Sequence, residues 1–252
     1  PNIAECFARH DATFLIMGDT YTRGCAFCAV HTGAPGPPDP DEPSRVAAAA
    51  RDLGLRHVVI TSVTRDDLPD QGAQLFAETI HQVHGTIPGV RVEVLTPDFS
   101  GDRRRLETVL AAGPDVFGHN VETVGRLYDQ IRPGANVQRS LDVLRQAKAL
   151  APTCKIKSGF MVGLGETADE IETLLVALKD AGVDIVTIGQ YLQPSRRQIA
   201  VQRYWEPGWF THWAGLAKAI GIRYVASGPL VRSSYRAHDT WEAMENNAIR
   251  ED

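Results

Sequence analysis

An α/β fold of repeated βα units is what the sequence predicts, and three observations carry it. Short apolar runs alternate with amphipathic helical patterns along the whole chain. The runs His57-Val58-Val59-Ile60-Thr61 and Asp184-Ile185-Val186-Thr187-Ile188 are continuous and β-branched, as strands buried on both faces must be. The length of 252 residues suits one large domain, because α/β barrels reach this size without splitting.

The elements follow in order. A strand is expected over 12–17, then a helix over 43–53 whose Pro43 takes a first-turn position where its missing N–H costs nothing. Between them, the Gly- and Pro-rich residues 32–40 read as a stiff loop, not a linker between domains. Strands over 57–61, 91–95 and 115–118 are each followed by a helix, over 71–84, 102–112 and 122–130, with a further helix over 137–150. Strands over 155–161, 184–188 and 223–226 complete the set, with helices over 167–181 and 207–220. Six or seven such units predict a partial or full barrel; the rival is a doubly wound open sheet. The polar tail 238–252 reads as a short helix or a frayed end, and no internal repeat is present.

Composition narrows the function classes. The apolar share of 43% and charged share of 23% are ordinary for a globular domain. A net charge of −5 gives no electrostatic case for nucleic acid, and no apolar run approaches the roughly 20 residues that cross a bilayer. Four cysteines (Cys6, Cys25, Cys28 and Cys154) are too few for a disulfide scaffold, and C-x-x-C favours a reducing compartment, which reads as cytoplasmic. The chain opens at Pro1 without Met and reads as a fragment, which leaves organellar targeting open.

The chemistry concentrates in Thr22-Arg23-Gly24-Cys25-Ala26-Phe27-Cys28, directly after the first strand. C-x-x-C aims two thiolates into one site from a single turn, and thiolates bind soft or borderline metals. Four residues before Cys25, where a third thiolate would complete C-x-x-x-C-x-x-C, stands Tyr21. That fuller pattern holds three irons of a four-iron cluster and leaves the fourth open. A structural zinc site using Cys25, Cys28 and His31 is the bland alternative, short of a fourth ligand.

Polar clusters recur just after the strands, where barrel active sites are assembled. They include Ser62, Arg65 and Asp66; Thr96-Pro97-Asp98-Phe99; His119, Asn120 and Glu122; Gly163, Gly165 and Glu166; and Gln190. Singly, Asp66, Asn120 and Thr167 more often cap helices, and the Gly163/Gly165 pair makes either a ligand cradle or a plain turn. In succession at one end they predict a common site. Ser233 and Ser234 alone read as a solvated turn, and Cys154 as a small core residue.

With these blocks in view, the chain resembles the lipoyl synthase family of radical S-adenosylmethionine (SAM) enzymes over nearly its full length. The resemblance rests on Pro1 through Cys6, Ala12-Thr13-Phe14, Gly18-Asp19, Cys25 through Cys28, His57 through Asp67 and Glu93 through Phe99. It continues through His119-Asn120-Val121-Glu122-Thr123, Lys157-Ser158-Gly159, Met161 through Thr167, Gly189 through Ser195 and Gly228 through Tyr235. It implies an α/β fold of the TIM-like partial (β/α)6 barrel type over 12–237, preceded by the remnant of an auxiliary-cluster segment (1–11) and followed by the tail (238–252). It also implies a sulfurtransferase that inserts two sulfur atoms into an octanoyl chain on a carrier lysine. The implied cofactors are SAM and two 4Fe-4S clusters, one binding SAM and one auxiliary, the latter consumed as sulfur source.

Carried over residue by residue, Cys25 and Cys28 match two ligands of the SAM-binding cluster, and Phe27 packs near the adenine or the cluster. Cys6 matches an auxiliary-cluster ligand, together with Ser233 or Ser234. Ser62, Arg65, Asp66, Asn120, Glu122, Gly163, Gly165, Glu166 and Gln190 fall where SAM or substrate contacts are implied. The implied partners are an octanoylated lipoyl carrier domain or a glycine cleavage H-type protein, and an electron donor such as flavodoxin or ferredoxin. Neither nucleic acid nor membrane is expected, and the chain is expected to be a monomer. Three departures stand out: Tyr21 at a cysteine position, Gln71 where the family shows glycine, and Gln198 where it shows histidine. Tyr21 predicts impaired reductive SAM cleavage, or a degenerate relative that binds SAM or the octanoylated carrier without turnover.

Overall fold

The computed structural model describes residues 11–234. Along them run β1 (Asp11–Ile16), β2 (Thr20–Tyr21), β3 (His31–Thr32), α1 (Glu42–Asp52), β4 (His57–Ser62), α2 (Ala73–Thr86), β5 (Arg91–Leu95) and α3 (Arg103–Ala111). Then come β6 (Val116–Gly118), α4 (Tyr128–Ile131), α5 (Val137–Leu150), β7 (Lys155–Val162), α6 (Ala168–Asp180), β8 (Ile185–Gln190), α7 (Pro207–Ala219) and β9 (Tyr224–Gly228).

Seven strands form one sheet in the order β1-β4-β5-β6-β7-β8-β9, and every pair in it is parallel. The order never reverses, so each crossover winds the same way round. A doubly wound sheet would place later strands on both sides of β1. Among the described residues β9 does not pair back to β1, and the result is a partial barrel of six βα units with a closing strand. The small pair β2-β3 stands apart and brackets the cysteine loop.

The core lies between sheet and helices. Val58, Ile60, Val92, Val94, Phe117, Ile156, Val186 and Ile188 are fully buried there. Facing them, α6 buries Ile171, Leu174, Leu175 and Leu178, a stripe at helical spacing, and Thr167 caps it through a reciprocal capping box with Glu170. Asp102 caps α3 by accepting from Arg104 N at 2.8 Å, and Asn136 caps α5 by accepting from Arg139 N at 3.1 Å.

Strand alternation turns Glu93 and Lys157 to the opposite face, into the barrel lumen. There Lys157 Nζ meets Glu93 Oε1 at 2.7 Å, and His57 Nε2 lies 3.5 Å from Glu93 Oε2. Burial drives the Glu93 carboxyl upward, but Lys157 and His57 outweigh it and hold it below the usual range. Beneath the site the lumen is therefore polar, where full barrels carry branched apolar layers.

One expected helix is corrected. Residues 122–130 do not form it: Glu122 takes φ 64° and bridges in parallel to Phe160, so the chain is still extending the sheet. Only the single turn Gly125–Leu127 and the four residues of α4 are helical, because the backbone N–H and C=O of Glu122 are already taken by Gly159 and Met161.

Candidate active site at the carboxyl ends of the strands

A cavity of about 130 Å³ opens at the carboxyl ends of the strands. The cysteine loop forms one wall with Tyr21, Arg23, Cys25, Phe27 and Cys28; Ser62, His119, Asn120, Glu122 and Arg132 form the other, with Val30, Leu95 and Pro97 as apolar filling. Both cysteines that the sequence singled out therefore face one space with Phe27, Ser62, Asn120 and Glu122.

The loop is held from several sides. Thr22 N donates to Thr64 O at 3.1 Å, Ala26 N to Ile131 O at 2.9 Å, and Ile199 N to Ala26 O at 3.0 Å. Gln198 Nε2 donates to Cys28 O at 3.2 Å, so Gln198, where the resemblance led us to expect a histidine, fastens the loop. Arg23 grips Asp66 through Nε at 2.6 Å and Nη2 at 2.7 Å, and reaches Asp98 with Nη1 at 3.0 Å. Arg139 Nε completes the Asp98 site at 2.7 Å.

Burial pushes the Cys25 and Cys28 thiols up, with Arg132 opposing it at Cys25 and the Val30 backbone at Cys28. The Tyr21 phenol is pushed up as well, by burial first and then by Cys28, Cys25 and Glu122; it stays neutral and donates to Ser62 O at 3.3 Å. Glu122 is raised by burial, against Arg132 and a hydrogen bond from Asn120. Its left-handed backbone is a strained conformation for a residue with a side chain, of the kind that collects at functional sites.

Of the buried polar side-chain atoms that have no hydrogen-bond partner among the described residues, two belong to residues that line the cavity: Ser62 Oγ and Arg132 Nε. Arg132 Nη1 is engaged: it reaches Asn120 O at 2.9 Å, Val121 O at 3.3 Å and Tyr128 Oη at 3.2 Å. Buried groups left open in this way mark where a ligand's own polar atoms fit.

His119 is locked. Its Nδ1 lies 2.9 Å from Thr96 O, which only accepts, so Nδ1 carries the proton and Nε2 accepts from Ser140 Oγ at 3.0 Å. Burial, then the Arg132 cation, bring its pKa down to about 4.

Several expected contacts do not reach the cavity. Arg65 is 1% exposed and serves the 33–40 loop, holding Asp67 at 2.8 and 2.9 Å and Gly36 O at 2.9 Å. Asp66 is taken by Arg23, with Thr22 and Gln71 at 3.2 Å. Gly163, Gly165, Glu166 and Gln190 form a lock inside the protein: Glu166 accepts from Gly163 N at 2.5 Å, Leu164 N at 2.9 Å and Trp205 Nε1 at 2.8 Å. Gln190 Nε2 donates to Tyr191 O and Arg203 O at 3.1 and 3.0 Å, while its Oε1 accepts from Trp205 N at 3.1 Å. At Gly163, φ is 99° and a Cβ would strike the Gln190 amide. Gly165 O accepts from Arg126 Nη2 at 2.8 Å. None of these side chains lines the cavity.

Ser233 and Ser234 sit half-buried in the turn after β9 and do not line the cavity. That turn lies tight on β8, since a Cβ at Gly189 would collide with Val231 O. Cys6 lies outside the described residues. Cys154 is at the amino end of β7, its Sγ donating to Pro114 O at 3.3 Å and its thiol pushed up to about 12 by burial, as a core residue should be. Sequence reasoning missed Arg132, and named Arg23, Asp98 and His119 only within blocks. Isolated arginines and aspartates carry no spacing signal.

The donor set has a gap. No group of three or more His, Cys, Asp or Glu side chains among the described residues is arranged to hold a metal ion. Two thiols and one neutral phenol face the cavity in place of three thiolates.

Comparisons with known proteins bear on the same residues. The radical SAM superfamily profile matches residues 22–178, starting one residue after Tyr21. A lipoyl synthase of Rubrobacter xylanophilus is 53% identical over 249 residues, covering 99% of this chain and 78% of that one. A lipoyl synthase of Caldanaerobacter subterraneus is 55% identical over 237 residues, covering 94% and 83%. Among solved structures, a methylornithine synthase matches with a TM-score of 0.63 at 14% identity, covering 94% of this chain and 81% of that one, a likeness of fold alone.

Proposed function

Because this chain belongs to the lipoyl synthase family of the radical SAM superfamily, we propose that it inserts two sulfur atoms into a protein-bound octanoyl-lysine chain to make the lipoyl group. The observation that carries the reading is the convergence of Cys25, Cys28, the open Ser62 Oγ and the open Arg132 Nε on one cavity at the strand ends. A ligand with a carboxylate and hydroxyls satisfies those two atoms, as the amino-acid and ribose ends of SAM would. Glu122 and Asn120 offer acceptors for its ammonium, and Val30, Leu95 and Pro97 keep water from the reacting end.

The superfamily uses SAM with a four-iron cluster, and here the fit fails at one point. Tyr21 supplies a neutral donor, already bonded to Ser62 O, where a third thiolate is required. At this cavity the chain with Tyr21 therefore offers two thiols and a phenol, one thiolate short of what such a cluster needs. The auxiliary cluster as sulfur source, with Cys6 and Ser233 or Ser234 as ligands, belongs to the same proposal. So do the carrier domain or H-type protein as substrate, flavodoxin or ferredoxin as electron donor, a cytoplasmic setting, a monomeric state, and the division into 1–11, 12–237 and 238–252. Among the described residues no helix is long and apolar enough to cross a membrane.

The test is anaerobic reconstitution with iron and sulfide, followed by incubation with SAM, reductant and an octanoylated carrier domain. The Tyr21→Cys variant should yield 5′-deoxyadenosine in an amount that rises with the octanoylated carrier, and the chain with Tyr21 far less. A reconstituted variant that binds SAM yet forms no 5′-deoxyadenosine in response to the octanoyl chain would overturn the reading.

A further inference from the structure

One segment of the strand-end face fastens the cysteine loop from behind and turns a set of charged side chains outward. Residues 192–204, which follow β8, carry Arg196, Arg197 and Arg203 and no Asp or Glu, in a chain whose net charge is −5. All three arginines are exposed, and none forms an ion pair among the described residues, although arginines elsewhere on the surface find carboxylates. Arg203 stacks its guanidinium over the Trp205 ring at 3.7 Å, which fixes it while the residue stays exposed. Tyr204 beside it is 68% exposed, and Leu192 is 38% exposed.

The segment is preformed. Gln193 Nε2 donates to Gln198 O at 2.7 Å, Ser195 Oγ to Gln198 Oε1 at 2.7 Å, Tyr191 Oη to Ile199 O at 2.8 Å, and Gln202 N to Gly163 O at 2.8 Å. It is also joined to the cysteine loop itself, by Ile199 N to Ala26 O and by Gln198 Nε2 to Cys28 O. A partner seated on this lip lies against the wall of the cavity.

We propose that the lip of Arg196, Arg197, Arg203, Tyr204 and Leu192 is the docking surface for an acidic face of a protein domain, the domain that delivers the acyl chain. This rests on the function proposed above. Unpaired guanidiniums on a rigid frame give steering and register, and arginine and tyrosine together are what protein interfaces favour. A nucleic acid fits less well: tight phosphate binders make roughly six to ten contacts, and three arginines on an acidic chain do not continue into a basic track.

Calorimetric titration of the full chain, at low and high salt, tests this with four probes. They are an octanoylated carrier domain of net negative charge, a short octanoyl-lysine peptide, a single-stranded RNA and an anionic phosphatidylglycerol vesicle. For Arg196→Glu/Arg197→Glu, affinity for the domain should fall about tenfold or more and lose its salt dependence. Peptide affinity and the thermal midpoint should stay at native values. Equal binding of the domain by native and variant chains overturns the lip and leaves the function standing. A domain that fails to bind while the peptide binds does the same. If neither binds, the function itself is overturned and the lip with it. If RNA or vesicle binding, but not domain binding, responds to the substitution, the surface belongs to that other class and the inference is wrong.

Discussion

Two walls of the strand-end face looked alike as sequence and differ in what their polar atoms are doing. The wall made by the cysteine loop and Ser62-Asn120-Glu122-Arg132 keeps two buried atoms, Ser62 Oγ and Arg132 Nε, without partners. The turn at Gly163–Glu166 with Gln190 has no such vacancy: both Glu166 oxygens and both ends of the Gln190 amide are engaged by the protein. An unsatisfied buried donor or acceptor costs about 1–3 kcal/mol. The first wall leaves polar atoms open to the cavity and the second engages its own, though both carry motif residues.

The largest effect should come from the one place where the ligand-facing wall lacks a donor. Tyr21→Cys should raise the affinity for iron by more than ~100-fold, since changes merely behind a ligand already cost 10–100-fold. Iron and sulfide analysis after anaerobic reconstitution checks it, with the electronic spectrum as second readout. Equal iron and sulfide in both chains would mean that the phenol serves as a ligand and that the wall has no gap.

The two walls can then be set directly against each other. Glu166→Gln turns an amide N–H₂ toward backbone and indole donors and should destabilise the fold by about 3 kcal/mol, leaving SAM affinity in the folded fraction unchanged. Ser62→Ala removes an atom that has no partner, so the fold should hold or gain by up to about 1 kcal/mol while SAM binding weakens. Urea unfolding and calorimetry measure both. If the two substitutions exchange these effects, the distinction between the walls is lost.

His119 lines the ligand wall yet is satisfied like the other one, which makes it a test in pH. Its folded pKa of about 4 lies below the ordinary histidine value of 6.5, so between these the unfolded chain binds the extra proton. Stability from this group is therefore complete above about pH 6.5 and is lost as pH falls toward 4, up to about 3 kcal/mol. In His119→Gln the share of the acid-induced loss between pH 7 and 4.5 that belongs to this ring should vanish. A variant with the same acid slope as the native chain would show that the ring is not held neutral.

The strands were legible because residues such as Val58, Ile60, Val186 and Ile188 must be apolar to be buried between sheet and helices, and such runs are hard to disguise. The site was legible where spacing carries chemistry, at Cys25, Phe27 and Cys28, and where a polar residue directly follows a strand, at Ser62, Asn120 and Glu122. The expected 122–130 helix failed because Glu122 is committed to β7 by tertiary hydrogen bonds that no local pattern reports. Glu166 shows the limit of such spacing, because an acid after a glycine turn looks the same whether it faces a cofactor or the Trp205 indole, 39 residues away. Arg132 was invisible for the opposite reason: before Pro133-Gly134 an arginine reads as solvated surface.

Gln71 sharpens the comparison at its smallest scale, because it backs the cysteine-loop wall from behind. It sits at φ 54°, a conformation natural to the glycine that relatives of this chain were expected to carry. Its amide donates to Ser100 Oγ at 2.9 Å and to Asp66 Oδ1 at 3.2 Å, and so backs the Asp66 that grips Arg23 and the cysteine loop. Gln71→Gly relieves about 1 kcal/mol of left-handed strain, but it loses two modest hydrogen bonds and frees the unfolded chain by about 0.4–1 kcal/mol. These oppose each other, and the net change should stay within about 1 kcal/mol. Gln71→Ala keeps the strain while losing the same bonds, and should be the less stable of the two by roughly 0.5 kcal/mol. Denaturant midpoints of the two variants separate strain from hydrogen bonding. If alanine proves the more stable, the backbone at this position is not strained, and Gln71 holds the loop at no conformational cost.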